Sequence, residues 1–209
     1  MEQNFPLPDF GARFREAIRR FDEENARDPN REIDSRGVAH PRELIYAKRL
    51  CDWVLRLCPN ASEALLLAAR SQHICRWMIP RANYEMSRAG YLRWRADLKK
   101  FHAEKSGAIL REAGYDDEMI ERVRALNLKE KLSRDGSADP DCQTLEDALC
   151  LVTLQWQLGE LMDKTAPEKM PGILQKTWKK MSPAAREQAM TLPFSEREKA
   201  LVASALADV

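Results

Sequence analysis

The segment from residue 70 to residue 95 carries most of the side chains that could bind or react with a ligand. It contains six arginines, no lysine and a single acid, Glu85. The planar guanidinium of arginine grips phosphate or carboxylate through paired hydrogen bonds and also stacks on aromatic faces. Aromatic and histidine side chains are interleaved with these arginines, and such rings can hold a base or another flat group. The segment therefore predicts a site for a phosphorylated, nucleotide-like small molecule.

The residues predicted to bind this ligand lie in the segment or on the helix that continues from it. They are Gln72, Arg76, Trp77, Arg81, Tyr84, Arg88, Tyr91, Trp94, Arg95 and His102. The alternative is that the arginines are structural and pair with acids of other helices, such as Glu146 and Asp147, because 34 basic residues are balanced by 33 acidic ones. The same balance argues against nucleic acid as a partner, since nucleic acid needs a broad basic surface.

Two adjacent acids, Glu146 and Asp147, interrupt an otherwise apolar helical stripe. One of them must face the core, and a buried carboxylate needs a cation. An arginine, a metal ion or Lys129 could supply that charge. His73 lies at the end of an apolar helix and is either a general base or a hydrogen-bonded core histidine. The candidate catalytic residues are therefore His73, Lys129, Glu146 and Asp147.

The five cysteines form no C-x-x-C pair, and the first residues have neither the basic start nor the apolar stretch of a signal peptide. Free, neutral thiols in a reducing compartment are therefore expected, and with them a cytoplasmic protein. Cys75, two residues from His73, is the one cysteine with a base close by in sequence. No apolar run is long enough to cross a membrane, so no membrane partner is expected.

Apolar residues recur at helical spacing through nearly the whole chain, which predicts an all-α fold with little or no sheet. A length of 209 residues suits a single domain. The predicted helices lie near residues 10–27, 41–57, 63–77, 91–113, 116–128 and 142–163, with short helices near 172–181, 183–191 and 195–207. The predicted loops are 31–40, 78–90 and 133–141. The third helix is apolar nearly all round and is expected at the centre of the bundle.

Several motifs resemble a bacterial and fungal domain-of-unknown-function family, family 4202. The shared motifs are Pro41-x-Glu43-Leu-Ile-Tyr46-Ala, Ala68-Ala-x-x-Gln72-His73-Ile-x-Arg76-Trp77-x-Ile79-Pro80-Arg81-x-x-Tyr84, Arg88-x-Gly90-Tyr91-Leu-x-Trp94-Arg95, His102-Ala-Glu104, Gly114-Tyr115 and Leu145-Glu146-Asp147. The resemblance covers about residues 10–165, and the block from Gln72 to Arg95 is its most specific part. It implies no particular reaction.

The same stretch is more distantly similar to the HD superfamily of helical metal-dependent phosphohydrolases. That resemblance places Gln72 and His73 in the superfamily's paired motif, Glu43 at an earlier ligand position and Asp147 at the final aspartate. It gives His102 and Lys129 auxiliary positions. It therefore implies a helical bundle of HD-domain type. It also implies either a divalent metal held by Glu43, His73 and Asp147, or the ammonium group of Lys129 in the metal's place.

The leading hypothesis is a protein that binds a phosphorylated small molecule and hydrolyses a phosphate ester, with His73 and Asp147 at the chemical centre. The alternatives are a non-catalytic ligand-binding module and an interaction protein whose arginine loop docks an acidic partner. We expect an HD-like domain over residues 1–165, including an arginine and aromatic loop at 76–95. A short-helix extension, residues 166–209, is expected to pack on the same core and is a candidate docking or homodimer surface.

Overall fold

A computed structural model describes residues 5–34, 36–130 and 139–207. These residues form ten α-helices and one small two-stranded sheet, which confirms the all-α, single-domain prediction. The elements are α1 (Ala12–Ala26), β1 (Arg31–Ile33), β2 (Ala39–Pro41), α2 (Arg42–Leu57), α3 (Glu63–Ser71), α4 (Arg88–Glu112), α5 (Asp117–Leu128), α6 (Pro140–Val152), α7 (Leu158–Lys164), α8 (Met170–Lys180), α9 (Pro183–Met190) and α10 (Glu196–Leu206). Short 3-10 turns lie at Arg76–Met78, Arg81–Asn83 and Pro167–Lys169.

Helix α3 lies at the centre of the bundle, as its apolar sequence predicts. Leu65, Leu66 and Leu67 have no exposed surface, and α1, α2, α5 and α6 pack around them. The hydroxyl of Ser62 accepts a hydrogen bond from the backbone N–H of Leu65 and caps the helix. Burial of one leucine contributes about 2 kcal/mol, so these three leucines together hold α3 in place. The polar residues that follow α3 are positioned with it.

The central helix ends at Ser71, earlier than the predicted end near Trp77. Cys75 adopts a left-handed conformation with φ of 52°, which no helix can continue through. The side-chain carbonyl of Asn25 accepts a hydrogen bond from the N–H of Cys75 at 3.1 Å and holds this turn. Because the stop depends on a contact with α1, apolar periodicity within the segment could not reveal it.

Helix α4 begins at Arg88, before the predicted start at Tyr91. The reason is a cap: the hydroxyl of Ser87 accepts a hydrogen bond from the N–H of Gly90 at 3.1 Å. Gly90 also allows the preceding loop to pack closely, because a Cβ there would lie 2.1 Å from the carbonyl oxygen of Glu85. The loop therefore lies tightly against the first turn of α4.

Residues 31–34 and 36–40 belong to a β-hairpin, whereas the sequence predicts a connecting loop over 31–40. Strand β1 pairs antiparallel with β2. The carboxylate of Asp34 closes the turn by accepting hydrogen bonds from the N–H groups of Arg36 and Val38, both at 2.9 Å. Strands of three residues are too short to show an alternating pattern, so the sequence signal was absent.

The predicted helix over residues 142–163 is interrupted. A π-helical turn, Thr153–Gln157, separates α6 from α7. Such turns rotate the following residues relative to a regular helix and are frequent at functional sites. Most of the predicted loop at 133–141 lies outside the described residues.

Helices α8 to α10 contribute to the same hydrophobic core as the rest of the described chain. Met170, Leu174, Ala185 and Val202 are buried members of that core. The proline-bounded short helices lie within a few residues of their predicted positions. None of the helices in the described ranges is both long and apolar enough to cross a membrane.

All five cysteines are free, and four of them are buried. Burial raises the pKa of Cys51 to about 11 and that of Cys150 to about 12. Burial also raises the pKa of Cys75 to about 12, helped by the carboxylate of Glu24 at 3.4 Å from its sulfur. These thiols are therefore neutral, and Cys75 contacts an acid instead of the base that a nucleophile requires.

Candidate functional site

A polar cleft opens where α2, the turn after α3, α4 and α6 meet. It consists of two adjoining cavities of about 250 and 280 Å³. The residues that line both are Tyr46, His73, Arg76, Thr153 and Gln157. The first cavity adds Gln72, Arg95, Lys99, His102, Lys129, Glu146 and Lys180, and the second adds Arg42, Glu43, Glu160 and Lys164. We call the whole feature the cationic cleft.

Helical spacing brings these side chains to one place. On α4, Arg95, Lys99 and His102 lie on a single face, because residues four and seven positions apart are neighbours on a helix. On α2, Glu43 and Tyr46 are likewise on one face, one turn apart. The π-helical turn after α6 contributes two of the residues shared by both cavities.

His73 lies at the junction of the two cavities, with 24% of its side chain exposed. Its ring stacks on Tyr46 at 4.3 Å between centroids, and its Nδ1 lies 3.6 Å from Oε2 of Glu43. Burial lowers the pKa of His73 well below its ordinary value, and the charges of Arg76 and Arg95 lower it further. At neutral pH His73 is therefore an uncharged imidazole, and it becomes a stronger base only when an anion offsets the neighbouring cations.

Glu43 is the acid beside His73. Glu43 is 7% exposed, and its Oε2 accepts no hydrogen bond from the described residues. Burial raises the pKa of Glu43 to about 7, an effect that the positive charge of Arg76 opposes. Near neutral pH this carboxyl group is therefore partly protonated. Glu43 and His73 together form a pair that can exchange protons with a bound molecule.

His102 lies behind His73, with 5.8 Å between the ring centroids. Its Nδ1 lies 2.8 Å from the carbonyl oxygen of Ile74, and its Nε2 is buried without a partner among the described residues. Burial lowers the pKa of His102 to about 3, and the neighbouring His73 adds to the effect. This ring is therefore also neutral at physiological pH.

The first cavity carries an excess of positive charge. Its cationic side chains are Arg76, Arg95, Lys99, Lys129 and Lys180, and its only acid within the described residues is Glu146. The Glu146 carboxylate pairs with Lys129 and, at 3.3 Å, with Lys180. The buried acid thus meets a lysine, one of the three cations that the sequence left open.

The other three cations of this cavity, Arg76, Arg95 and Lys99, form no ion pair within the described residues. The guanidinium of Arg76 stacks over the ring of Trp94 at 4.9 Å. Burial lowers the pKa of Lys99, and the charges of Lys129 and Arg95 lower it further. Burial is the larger cause of this lowering, and a bound anion would relieve the smaller part that comes from the neighbouring cations.

Lys129 has a backbone φ of 58°, in the left-handed region that favours glycine. A non-glycine residue in this conformation costs about 1 kcal/mol. Cys75 is the other non-glycine residue with positive φ in the described part of the chain, and it lies between the two cleft residues His73 and Arg76. Backbone strain of this kind clusters at functional sites, where a particular side chain is needed despite its conformation.

The structure does not bring Arg81, a predicted phosphate ligand, into the cationic cleft. Its guanidinium donates hydrogen bonds to the carbonyl oxygens of Tyr84 and Glu85, at 3.0 and 2.7 Å, and a longer one to that of Ser87. A loop with few backbone pairings leaves carbonyl groups that need donors, and Arg81 supplies them. Its role is to hold the loop together.

The aromatic residues of the loop are also outside the cleft. The hydroxyl of Tyr84 donates to the carboxylate of Asp97, and Nε1 of Trp94 donates to the carbonyl oxygen of Ile79, both at 2.8 Å. The remaining predicted residues that line neither cavity are Trp77, Arg88 and Tyr91. Base stacking by these rings inside the cleft is therefore not part of the observed geometry.

Asp147 is not at the cleft either. Its carboxylate accepts hydrogen bonds from the N–H and O–H groups of Ser182, at 2.8 and 2.6 Å, and from the amide of Gln143. The Asp147 carboxylate thus links α6 to the start of α9. No three His, Cys, Asp or Glu side chains among the described residues are grouped so that they could hold a metal ion. The predicted metal site of Glu43, His73 and Asp147 is therefore not assembled, and the residues present do not fit a metal.

Several cleft residues were missed by sequence reasoning: Tyr46, Lys99, Thr153, Gln157 and Lys180. A signal existed for Lys99, which is one helical turn from Arg95 and one turn before His102. A signal also existed for Tyr46, one turn after Glu43. No sequence pattern pointed to Lys180, because it reaches the cleft from the end of α8.

The fold and the site together define an all-α, single-domain protein with a cationic cleft beside a neutral histidine. The chain belongs to a family described as Domain of unknown function (DUF4202), whose match covers residues 15–202 and therefore every residue of the cleft. No curated protein and no solved structure matches the chain. The similarity to the HD superfamily thus stays a prediction.

Proposed function

We propose that the cationic cleft binds a small phosphorylated molecule. The observation that carries this proposal is the charge of the first cavity, where five cationic side chains face one carboxylate. Arg76, Arg95 and Lys99 are not neutralised by any ion pair within the described residues, although Arg76 and Lys99 are partly buried. A bound anion would therefore relieve the repulsion among these cations.

Phosphate suits this group of cations better than a carboxylate does. A phosphate monoester carries nearly two negative charges and three acceptor oxygens, so several donors can bind it together. Arg76 and Arg95 can each donate two hydrogen bonds, and Lys99 adds a point charge. Hydrogen bonds to charged groups contribute about 1.5–3 kcal/mol each, so three of them would support a stable complex.

Hydrolysis of a phosphate ester is the reaction we propose for the bound molecule. The specific observation in its favour is the neutral imidazole of His73, which lies where the two cavities meet. In this scheme His73 accepts a proton from water while the water oxygen bonds to phosphorus. The ester P–O bond breaks, and the departing alkoxide takes the proton from His73. Asp147 has no part in this step.

Calorimetric titration with pyrophosphate at constant ionic strength tests the binding proposal. Arg95→Ala should weaken binding by about tenfold, because it removes an exposed cleft cation without disturbing the core. Arg93→Ala is the matched control: this exposed arginine lies on the same helix but lines neither cavity. Equal losses in both variants, or no binding by the unaltered protein, would contradict the proposal.

Phosphate release from a panel of monoesters and diesters tests the reaction. We expect turnover by the unaltered protein and its loss in His73→Gln, with pyrophosphate affinity retained. Binding without turnover of any ester would exclude hydrolysis. The alternative of a non-catalytic ligand-binding module would then replace it.

A further inference from the structure

We infer that the first cavity of the cationic cleft binds a diphosphate group, in which one oxygen joins two phosphoryl groups, and that the preferred ligands are organic diphosphates. This inference rests on the proposed phosphate site and specifies the class of molecule that it binds. It is carried by the number of cations in that cavity and by their division into two adjoining sets.

The charge of the first cavity exceeds what a single phosphate can balance. Five cationic side chains face one carboxylate and the two histidines are neutral, so four positive charges are in excess. A phosphate monoester carries about two negative charges at neutral pH, and a second phosphoryl group raises the total to about three. A diphosphate therefore offsets the repulsion among these cations more completely than a single phosphate does.

The first set of cations consists of Arg76 and Arg95. Arg76 and His73 line both cavities, which places this set where the cavities meet. Burial lowers the pKa of Arg76, the Glu43 carboxylate opposes this effect and the charge of Arg95 adds to it. The two guanidinium groups thus act on the same part of the cleft, and neither forms an ion pair within the described residues.

The second set consists of Lys99, Lys129 and Lys180. These lysines reach the cavity from α4, from the residue after α5 and from the end of α8, and they line the first cavity alone. The carboxylate of Glu146 pairs with Lys129 and, at 3.3 Å, with Lys180. Two ammonium groups share this one carboxylate, and Lys99 pairs with no acid among the described residues. Two positive charges of the set are therefore not balanced.

The two sets adjoin, because Arg95 and Lys99 lie one turn apart on the same face of α4. A separation of four residues is about 6 Å along a helix axis, so no wide gap lies between anions held by the two sets. Burial lowers the pKa of Lys99, and the charges of Lys129 and Arg95 lower it further, as expected for side chains that share one space. Two directly joined phosphoryl groups suit this arrangement better than phosphates at the two ends of a carbon chain.

A ligand can reach both sets of cations. Arg95 and Lys180 are exposed, and the other three residues are only partly buried. The second cavity carries less charge than the first, because two carboxyl groups, Glu43 and Glu160, face three cations there. The phosphoryl groups therefore lie in the first cavity, and the organic part of the ligand lies in the second.

Calorimetric titrations with orthophosphate, pyrophosphate and propane-1,3-diol bisphosphate at constant ionic strength test this inference. Pyrophosphate should bind about tenfold more tightly than orthophosphate. The bisphosphate carries no less charge than pyrophosphate, but a carbon chain separates its two phosphates. It should therefore bind severalfold more weakly than pyrophosphate.

Lys180→Gln tests the second set while keeping the buried ion pair, because Lys129 still neutralises Glu146. The variant should bind pyrophosphate about fivefold more weakly. Its affinity for orthophosphate should be nearly unchanged, because the arginine set holds a single phosphate. Lys179→Gln is the matched control and should change neither affinity, since this exposed neighbour on α8 lines neither cavity.

The outcomes separate this inference from the phosphate proposal on which it rests. Equal affinity for orthophosphate and pyrophosphate overturns the inference and leaves phosphate binding intact. A bisphosphate that binds as tightly as pyrophosphate, or a Lys180→Gln variant that weakens both anions equally or neither, overturns the arrangement in two adjoining sets. Failure of all three anions to bind overturns the phosphate proposal itself. The comparison of anions on the unaltered protein decides the matter even where a variant does not fold.

Discussion

The loop of residues 77–87 and the cationic cleft both carry arginine, yet their charged groups have different surroundings. In the loop, both terminal nitrogens of the Arg81 guanidinium donate hydrogen bonds to backbone carbonyl oxygens. In the cleft, Arg95 and Lys99 have no ionic partner within the described residues, although each lines a cavity. The same residue types thus stabilise structure in one region and leave charge available in the other.

The difference teaches that residue type alone does not identify a binding site. A guanidinium that satisfies backbone carbonyls contributes to loop stability and has little left for a ligand. A guanidinium or ammonium group held near other cations is repelled by them, and an anionic ligand reduces this repulsion. Whether a charge already has partners is the property that separates the two regions, and it depends on tertiary structure.

The largest effect is expected at the base of the cleft. Lys129→Met leaves the buried carboxylate of Glu146 with Lys180 alone, so unfolding free energy should fall by about 3 kcal/mol. Pyrophosphate affinity should fall as well, because one cation is lost. Urea unfolding and calorimetry measure the two effects. Lys129→Arg, which keeps the charge, is the control, and unchanged stability of the methionine variant would show that the pair contributes little.

A smaller, pH-dependent effect is expected at Glu43. Burial raises the pKa of Glu43 to about 7 in the folded protein, whereas in the unfolded chain the carboxyl ionises near its ordinary value. Between these values the unfolded state has released the proton and the folded state retains it, so this group makes stability fall as pH rises. Glu43→Gln removes that contribution.

The stability of Glu43→Gln relative to the unaltered protein should therefore increase by on the order of 2 kcal/mol from about pH 4.5 to pH 7, and then level off. Thermal or urea unfolding over this range measures the difference. A constant difference across the range would show that Glu43 ionises normally in the fold.

The smallest effect is expected in the loop. Arg81→Ala removes hydrogen bonds to loop carbonyl groups and should lower unfolding free energy by about 1 kcal/mol. Pyrophosphate affinity should change by less than about twofold, since small effects of this size are typical of residues without a ligand contact. Arg88→Ala, an exposed position in the same segment, should alter neither quantity. A tenfold loss of affinity in Arg81→Ala would return the phosphate site to the loop.

Much of the fold could be predicted because apolar periodicity reports burial directly. The central position of α3 and the proline-bounded helices of the C-terminal part follow from residue patterns along the chain. The early end of α3 at Ser71 could not be predicted in that way, because it depends on a hydrogen bond from Cys75 to Asn25 in another helix. The π-helical turn after α6 leaves no comparable trace in the sequence.

The candidate site could be predicted only in part. His73, Arg76 and Arg95 were assigned to it from residue type, and the structure brings them together. Arg81 and Asp147 have equally suitable chemistry, but hydrogen bonds to the loop and to α9 occupy them. The contacts of Asp147 join residues far apart in sequence, and those of Arg81 depend on the conformation of the loop. Neither kind of contact can be predicted from residue types and spacing.

The most direct test of the central claim is nuclear magnetic resonance with pyrophosphate added stepwise to isotopically labelled protein. Our account predicts that the largest chemical-shift changes occur at the ring of His73 and the side chains of Arg95 and Lys99. The signals of Arg81 and Arg88 should change little. The largest changes at Arg81 and Arg88, with the His73 ring unaffected, would contradict the account and place anion binding at the loop and the first turn of α4.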